Sequence, residues 1–391
     1  MGKTPTVANQ VLAGHGTTIF AVMSSLAATH GAINLGQGFP DEDGPEDVRQ
    51  VAAEATRDGP NQYPSMMGVD ALRQAVAAHD NRFYGLNVDW QRETMVTSGA
   101  SEALASCMLG LLNPGDEAIL FEPLYDSYLP LVERAGAAAR LVRLEPPDWR
   151  LSEVALAAAM NNRTRVVVLN SPMNPSGKVF TEEELEMIAD WVHRKGLVAV
   201  CDEVYEHIVF DCLKHVPLMT LPDMRAHCLR IGSAGKTFSL TGWKVGYITA
   251  PEHLLRTVSR AHQFLTFTTP PNLQMAVAYG LNKEAEFFAA LSSDMQAKRD
   301  FLRDGLEGIG LQVFDSFGTY FLNADVSSIG FAGGDEEFCR AMTREARVAA
   351  VPVSAFYRDG DVRHLARFCF CKKRSVLAEA IHRLARWKRA A

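Results

Sequence analysis

Four short segments of this chain combine reactive side chains with the small residues and prolines that shape ligand-binding turns. Ser98-Gly99-Ala100-Ser101-Glu102-Ala103-Leu104 follows a strand-like run and opens a helix pattern. Small residues there let backbone N–H groups approach an anion, and a helix N-terminus adds positive potential; a plain strand-to-helix turn has the same composition. Asn170-Ser171-Pro172-Met173-Asn174-Pro175-Ser176-Gly177 follows RVVVL. Its prolines and glycine predict a rigid loop beyond the carboxyl end of a strand, where α/β sheets bind ligands, although Asn-Pro is also an ordinary turn dipeptide.

The third segment, Asp202-Glu203-Val204-Tyr205, follows LVAVC. A carboxylate at the end of a buried strand is costly unless a cation or donors satisfy it. Asp202 either caps a following helix or faces a protonated ring nitrogen, with Tyr205 one turn on supplying a hydroxyl. The fourth segment, residues 232–246, sets Lys236 and Lys244 among glycines and hydroxyls. Its Gly-Lys-Thr suggests a nucleotide phosphate loop, but that spacing needs glycine at position 230, which is Arg230. A lysine in a small-residue loop can instead form a Schiff base, provided its amine loses its proton readily.

The elements that must position these segments alternate along the chain. Strand-like runs fall at 94–97, 117–121, 140–144, 165–169, 197–201, 229–232 and 245–249, several of them continuously apolar, as for strands covered on both faces. Helix patterns intervene at 101–112 and 182–195. The second opens with Thr181 and three glutamates, a capping box with acidic residues at the positive helix end. This alternation predicts an α/β fold with a mostly parallel sheet. From residue 308 onward strands and helices mix differently, predicting a smaller α+β region joined through a long helix at 285–309. The Gly/Pro-rich NLGQGFPDEDGP near the start should pack on that region. A large domain over 46–285 and a small one made of 1–45 and 286–391 follow.

The chain has 391 residues, 47% hydrophobic and 22% charged, which excludes a wholly disordered protein. Its formal net charge of −7 argues against a nucleic-acid backbone as partner. No run of about 18 apolar residues predicts a membrane span, and no secretory signal pattern opens the chain. Gly2 and Thr6 fit a loose acylation motif, but the surrounding residues are those of a free start. Seven scattered cysteines without a CxxC suggest neither a disulfide framework nor a zinc ribbon; a reducing cytoplasm fits them. The histidines show no metal-ligand spacing, so no metal is expected. Cys369 and Cys371 flank Phe370 as packing residues, and the basic residues Arg383, Arg386, Lys388 and Arg389 suit the C-terminal end of a last helix.

Taken together, a loop Asn, a strand-end Asp with Tyr three residues on, and a lysine after the next strand match what pyridoxal phosphate requires. The sequence resembles the class I/II aminotransferases of fold type I over nearly its whole length, from INLGQGFPD at 33–41 to RFCF at 367–370. Through SAGKTFSLTGWKVGY, SPMNPSGKVF, DEVYEHIVF and VPVSAFY it is most similar to kynurenine/glutamine transaminases, cysteine-conjugate β-lyases and methionine aminotransferases.

The resemblance implies roles. Lys236 carries the cofactor as an internal aldimine and shuttles the proton between substrate Cα and cofactor C4′. Asp202 pairs with the pyridine nitrogen. Tyr205 and Asn174 hold the phenolic oxygen, Asn174 also reaching the substrate carboxylate. The phosphate rests on the backbone of Ala100 and Ser101, with Ser233 and Lys244 contributing. Tyr125 stacks on the ring. Arg367 forks onto the substrate carboxylate, and Gly38 offers its backbone to the same group. Tyr63 reaches the phosphate of a neighbouring subunit, which implies a homodimer with shared sites.

SMMG after Tyr63, Thr268, Leu124 and Ser101 depart from the bulkier or aromatic residues of kynurenine-type members, which concerns side-chain specificity. The expected activity is transfer of an amino group from an L-amino acid of methionine, glutamine or aromatic type to a 2-oxo acid. The alternative is a carbon–sulfur β-lyase on the same site. A ligand-sensing regulator of this family would carry a DNA-binding segment ahead of the domain, and only some thirty residues precede GQGFPD.

Overall fold

The computed structural model describes residues 9–390, the last two by backbone alone; Gly2, Thr6 and the Arg389 side chain lie outside the described residues. Seven strands form the central sheet: β1 (Thr94–Thr97), β2 (Glu117–Glu122), β3 (Ala138–Arg143), β4 (Thr164–Asn170), β5 (Val198–Asp202), β6 (Cys228–Ser233) and β7 (Gly246–Thr249). Their order is β1-β7-β6-β5-β4-β2-β3. Every neighbouring pair is parallel except those involving β7, which runs against both β1 and β6. All seven predicted strands are present, within two residues or so at each end.

Strand periodicity explains why apolar runs specify this sheet. Successive residues point to opposite faces, and each face meets its own apolar cluster. Ala118, Leu120, Val166, Val168, Val200 and Ile231 join one; Ile119, Phe121, Val167, Leu169, Ala199 and Cys201 join the other. Helices cover both faces. The one at Glu182–Lys195 has both capping-box bonds, Glu184 N–H to Thr181 Oγ1 at 3.2 Å and Thr181 N–H to Glu184 Oε2 at 3.0 Å, and ends at Gly196 with φ 61°.

A second sheet, all antiparallel, comprises β8 (Gln312–Val313), β9 (Phe321–Asp325), β10 (Val351–Pro352) and β11 (Leu365–Cys369) in the order β10-β11-β9-β8. The 24-residue helix Ala285–Gly308 leads into it. The segment after Ile33–Asn34 packs there as expected: Ile33 and Asn34 pair with Val348 and Ala349, and Cys369 N–H donates to the Leu35 carbonyl at 2.7 Å. Arg383 in the last helix, Arg374–Ala390, pairs with Glu379 at 2.7 Å.

Two local expectations need correction. The first helix after β1 starts at Gly99 rather than residue 101 and ends at Leu111, so Ala100 and Ser101 fall within its first turn. No helix follows Asp202, which removes the capping reading. The buried Arg230 on β6 draws Glu203 (2.6 Å) and Glu206 onto one guanidinium, and that pull folds residues 203–206 into a turn.

Candidate active site

The carboxyl ends of β1, β4, β5 and β6 converge where the second sheet leans over the first, the usual place for ligands in such sheets. A cavity of about 360 Å³ opens there. Every residue expected at the site lines it except Tyr63: Gly38, Ala100, Ser101, Tyr125, Asn174, Asp202, Tyr205, Ser233, Lys236, Lys244 and Arg367. Tyr63 stands 84% exposed, its ring edge-on to Phe267 at 5.7 Å, away from the cavity of its own chain.

Each side chain is held by its element. Asn170 and Asp202 are register partners at the ends of β4 and β5. Asn170 Nδ2 donates to the Asp202 carbonyl at 2.9 Å, and its Oδ1 accepts the Asn174 N–H at 2.9 Å, so Asn174 is fixed from the strand it follows. Asp202 Oδ2 accepts the Tyr128 hydroxyl at 2.6 Å. Its Oδ1 is buried with no partner, and burial raises its pKa above the usual carboxylate range. Lys236, just past β6, donates from Nζ to the Tyr320 hydroxyl at 2.8 Å; burial lowers its amine pKa below that of a free lysine.

Arg367, on β11, is fully buried. Its Nη1 donates to Asn174 Oδ1 at 2.6 Å and its Nη2 to the Gly36 carbonyl at 2.7 Å, while Nε has no partner. The rings of Phe321, Phe20 and Phe356 surround the guanidinium, with centroids 3.8, 5.0 and 5.0 Å away. Desolvation lowers its pKa to about 10, still charged at neutral pH. At the other end, the helix Gly99–Leu111 aims its N-terminus into the cavity, and Lys244 Nζ lies 3.5 Å from Ser101 Oγ. Gly246 makes this possible: a Cβ there would come within 2.6 Å of the Gly99 backbone carbon.

Sequence reasoning missed Tyr128 and Tyr320. Tyr128 lies three residues after Tyr125, in the segment EPLYDSY at 122–128. Tyr320 is 84 residues beyond Lys236 and carries no spacing signal. Phe20, Gln37 and Phe321 also line the cavity unforeseen. Elsewhere, His79, Glu206 and His207 gather without any sequence spacing to announce it. The imidazoles meet Nε2 to Nε2 at 2.7 Å, and Glu206 is taken by Arg230 and Tyr84. Desolvation lowers the two histidines to about 4 and about 3, so this is a neutral hydrogen-bonded pair beside a buried ion cluster.

The donor set fits pyridoxal phosphate. An unpartnered carboxylate oxygen suits a protonated ring nitrogen, and an anion site at a helix N-terminus suits the phosphate. A buried lysine whose amine gives up its proton more readily than a free one suits the aldehyde.

Comparison with known proteins agrees. Residues 30–384 match the family model for aminotransferases of class I and II. A probable N-succinyldiaminopimelate aminotransferase of Mycobacterium tuberculosis is 45% identical over 95% of this chain and 96% of its own. The solved structure of that enzyme from M. tuberculosis superposes with a TM-score of 0.95, covering 97% of this chain and all of the other. The methionine aminotransferase of Escherichia coli is 40% identical over 98% and 99% of the two chains. These relatives are named as transaminases, which does not favour the β-lyase alternative. The chain belongs to the class I and II aminotransferases of fold type I and is a pyridoxal-phosphate-dependent transaminase.

Proposed function

We propose that this transaminase takes its amino group from L-amino acids with an uncharged side chain of methionine, glutamine or aromatic type, and works as a homodimer with shared active sites. Arg367 carries the reading. It is a buried cation whose protein partners are neutral, ringed by aromatic faces, with an unpaired Nε. Such a guanidinium favours a carboxylate, which accepts both forks, and Gly38 and Asn174 complete that subsite. Phe20, Gln37 and Tyr125 border the space left for the side chain and offer no second cation for a distal carboxylate.

When bound, pyridoxal phosphate supplies an electron sink that acidifies the substrate Cα–H. Asp202, with Oδ1 unpartnered, would hold the ring nitrogen and favour its protonated form. Asn174 and Tyr205 would hold the phenolic oxygen, and Tyr125 would pack against the ring. Ala100, Ser101, Ser233 and Lys244 would hold the phosphate. The Lys236 amine, its pKa lowered by burial, moves the proton from Cα as base and returns it as acid.

Tyr63 serves the neighbouring subunit's phosphate; its exposure and that of Phe264, Phe267, Met275 and Tyr279 support a second copy as the cover. The same reading divides the chain into a cofactor-binding part, 46–285, and a smaller part, 1–45 with 286–391, each containing one of the main sheets. Seven free thiols suit the cytoplasm. No helix among the described residues is long and apolar enough to cross a membrane.

Two experiments test this. Donor specificity is read as kcat/KM over methionine, glutamine, phenylalanine, kynurenine, aspartate and N-succinyldiaminopimelate; a preference for either of the last two contradicts the side-chain reading. Sharing of sites is read by mixing inactive Lys236→Ala protein with Tyr63→Phe protein. Mixed dimers contain one site with both native residues, so activity should exceed the sum of the parents, and strict additivity contradicts it.

A further inference from the structure

Lys236 does not stand alone in its pocket. Its Nζ donates to Tyr320 Oη at 2.8 Å, and Tyr320 Oη donates in turn to the Gly38 carbonyl at 2.6 Å. The phenolic proton is therefore committed to Gly38, and the oxygen turns a lone pair toward the lysine. Tyr320 is 1% exposed and stands behind the residues that line the cavity. Its ring is clamped edge-on between Tyr205 at 5.1 Å and Phe321 at 4.9 Å, and its carbonyl accepts the Phe370 N–H at 3.0 Å.

The far end of the chain of bonds is equally fixed. Arg367 binds the Gly36 carbonyl and Lys372 Nζ binds the Phe39 carbonyl at 2.7 Å, which pins the loop on either side of Gly38. That loop sits close because residue 38 has no side chain: a Cβ would meet Phe321 Cζ at 2.7 Å.

We propose that Tyr320 is a positioning residue that holds the Lys236 amine on the line of proton transfer and ties it to the Gly38 loop of the substrate-carboxylate subsite. The proposal rests on the reading of Lys236 as the proton-moving amine. Once released from the cofactor, a lysine side chain has four rotatable bonds and needs a fixed acceptor to return to one place. Tyr320 supplies it without competing as a base, because burial holds its phenol well above its ordinary pKa. Only the amine exchanges a proton with Cα; the phenol donates to Gly38 throughout.

The test uses the full-length enzyme loaded with pyridoxal phosphate and the variant Tyr320→Phe, with Tyr320→Met as a second variant in case the first folds poorly. Misplacing a reacting group by about 1 Å costs on the order of 100-fold. We therefore expect kcat to fall roughly 10- to 100-fold, KM to change little, and the isotope effect with an α-deuterated donor to rise, with cofactor loading kept. In protein stripped of cofactor, the pH midpoint for reductive methylation of Lys236 should move down, since an acceptor that favours the ammonium form is gone.

Native kcat with an unmoved lysine midpoint would overturn the proposal. So would a kcat loss matched by lost loading with an unchanged isotope effect, which marks a purely structural role. Lys236→Ala, run in parallel, separates the two claims. If it retains native turnover, the reading of Lys236 fails; if it is inactive while both Tyr320 variants behave as native, only Tyr320 fails.

Discussion

Tyr128 donates its hydroxyl to Asp202 Oδ2 at 2.6 Å and leaves Asp202 Oδ1 buried without a partner. One oxygen anchors the carboxylate, and the other is the one proposed to meet the cofactor. A hydrogen bond to a charged group contributes about 1.5–3 kcal/mol. Tyr128→Phe should therefore weaken pyridoxal phosphate binding by about 10- to 100-fold, measured by equilibrium dialysis, with the fold intact by circular dichroism. Unchanged affinity would show that Asp202 is oriented by other contacts.

Arg230 is the hub of a buried ion cluster. It binds Asp80, Glu203 and Glu206 and stacks on Tyr84 at 4.6 Å. Removing the only guanidinium among three buried carboxylates leaves uncompensated charge, a loss of about 3–5 kcal/mol. Arg230→Met should show that loss in urea denaturation. A change below about 1 kcal/mol would mean that the carboxylates take up protons instead, a route Asp80 already favours, since desolvation raises its pKa to about 6.

How much of this was legible in the sequence depends on how local each signal is. The strands of the central sheet were readable because burial on both faces demands continuous apolar runs, and the capping box of Thr181 and Glu184 because it acts within four residues. The cofactor residues were readable as a conjunction of loops at strand ends. What escaped was the layer behind them. Tyr128, Tyr320 and the Arg230 cluster act through contacts spanning 74, 84 and 150 residues of chain, and sequence periodicity carries no such information. The turn after Asp202 escaped for the same reason, since Arg230 from the next strand dictates it.

His262 ties stability to pH near the phosphate end of the cavity. Burial alone would lower its pKa, but the hydrogen bond and charge of Glu102 outweigh that and raise it above 6.5; Glu102 also accepts the Ser98 N–H at 3.0 Å. A group whose pKa is raised on folding stabilises fully below its unfolded pKa and loses that contribution as pH rises through the folded value. The native protein should lose stability from about pH 6.5 upward, and His262→Gln should flatten that decline in urea midpoints measured from pH 5.5 to 9. An identical slope in the variant would remove the pair from the account.

The central claim is that Lys236 and its surroundings hold pyridoxal phosphate for reversible amino transfer. The most direct measurement is the visible absorbance spectrum of the purified protein during half-reactions. The band of the lysine-bound cofactor should collapse on adding an amino donor and return with a 2-oxo acid, while Lys236→Ala shows no such native band before donor is added. A protein that stays colourless with added pyridoxal phosphate, or a Lys236→Ala variant that cycles like the native chain, would contradict it.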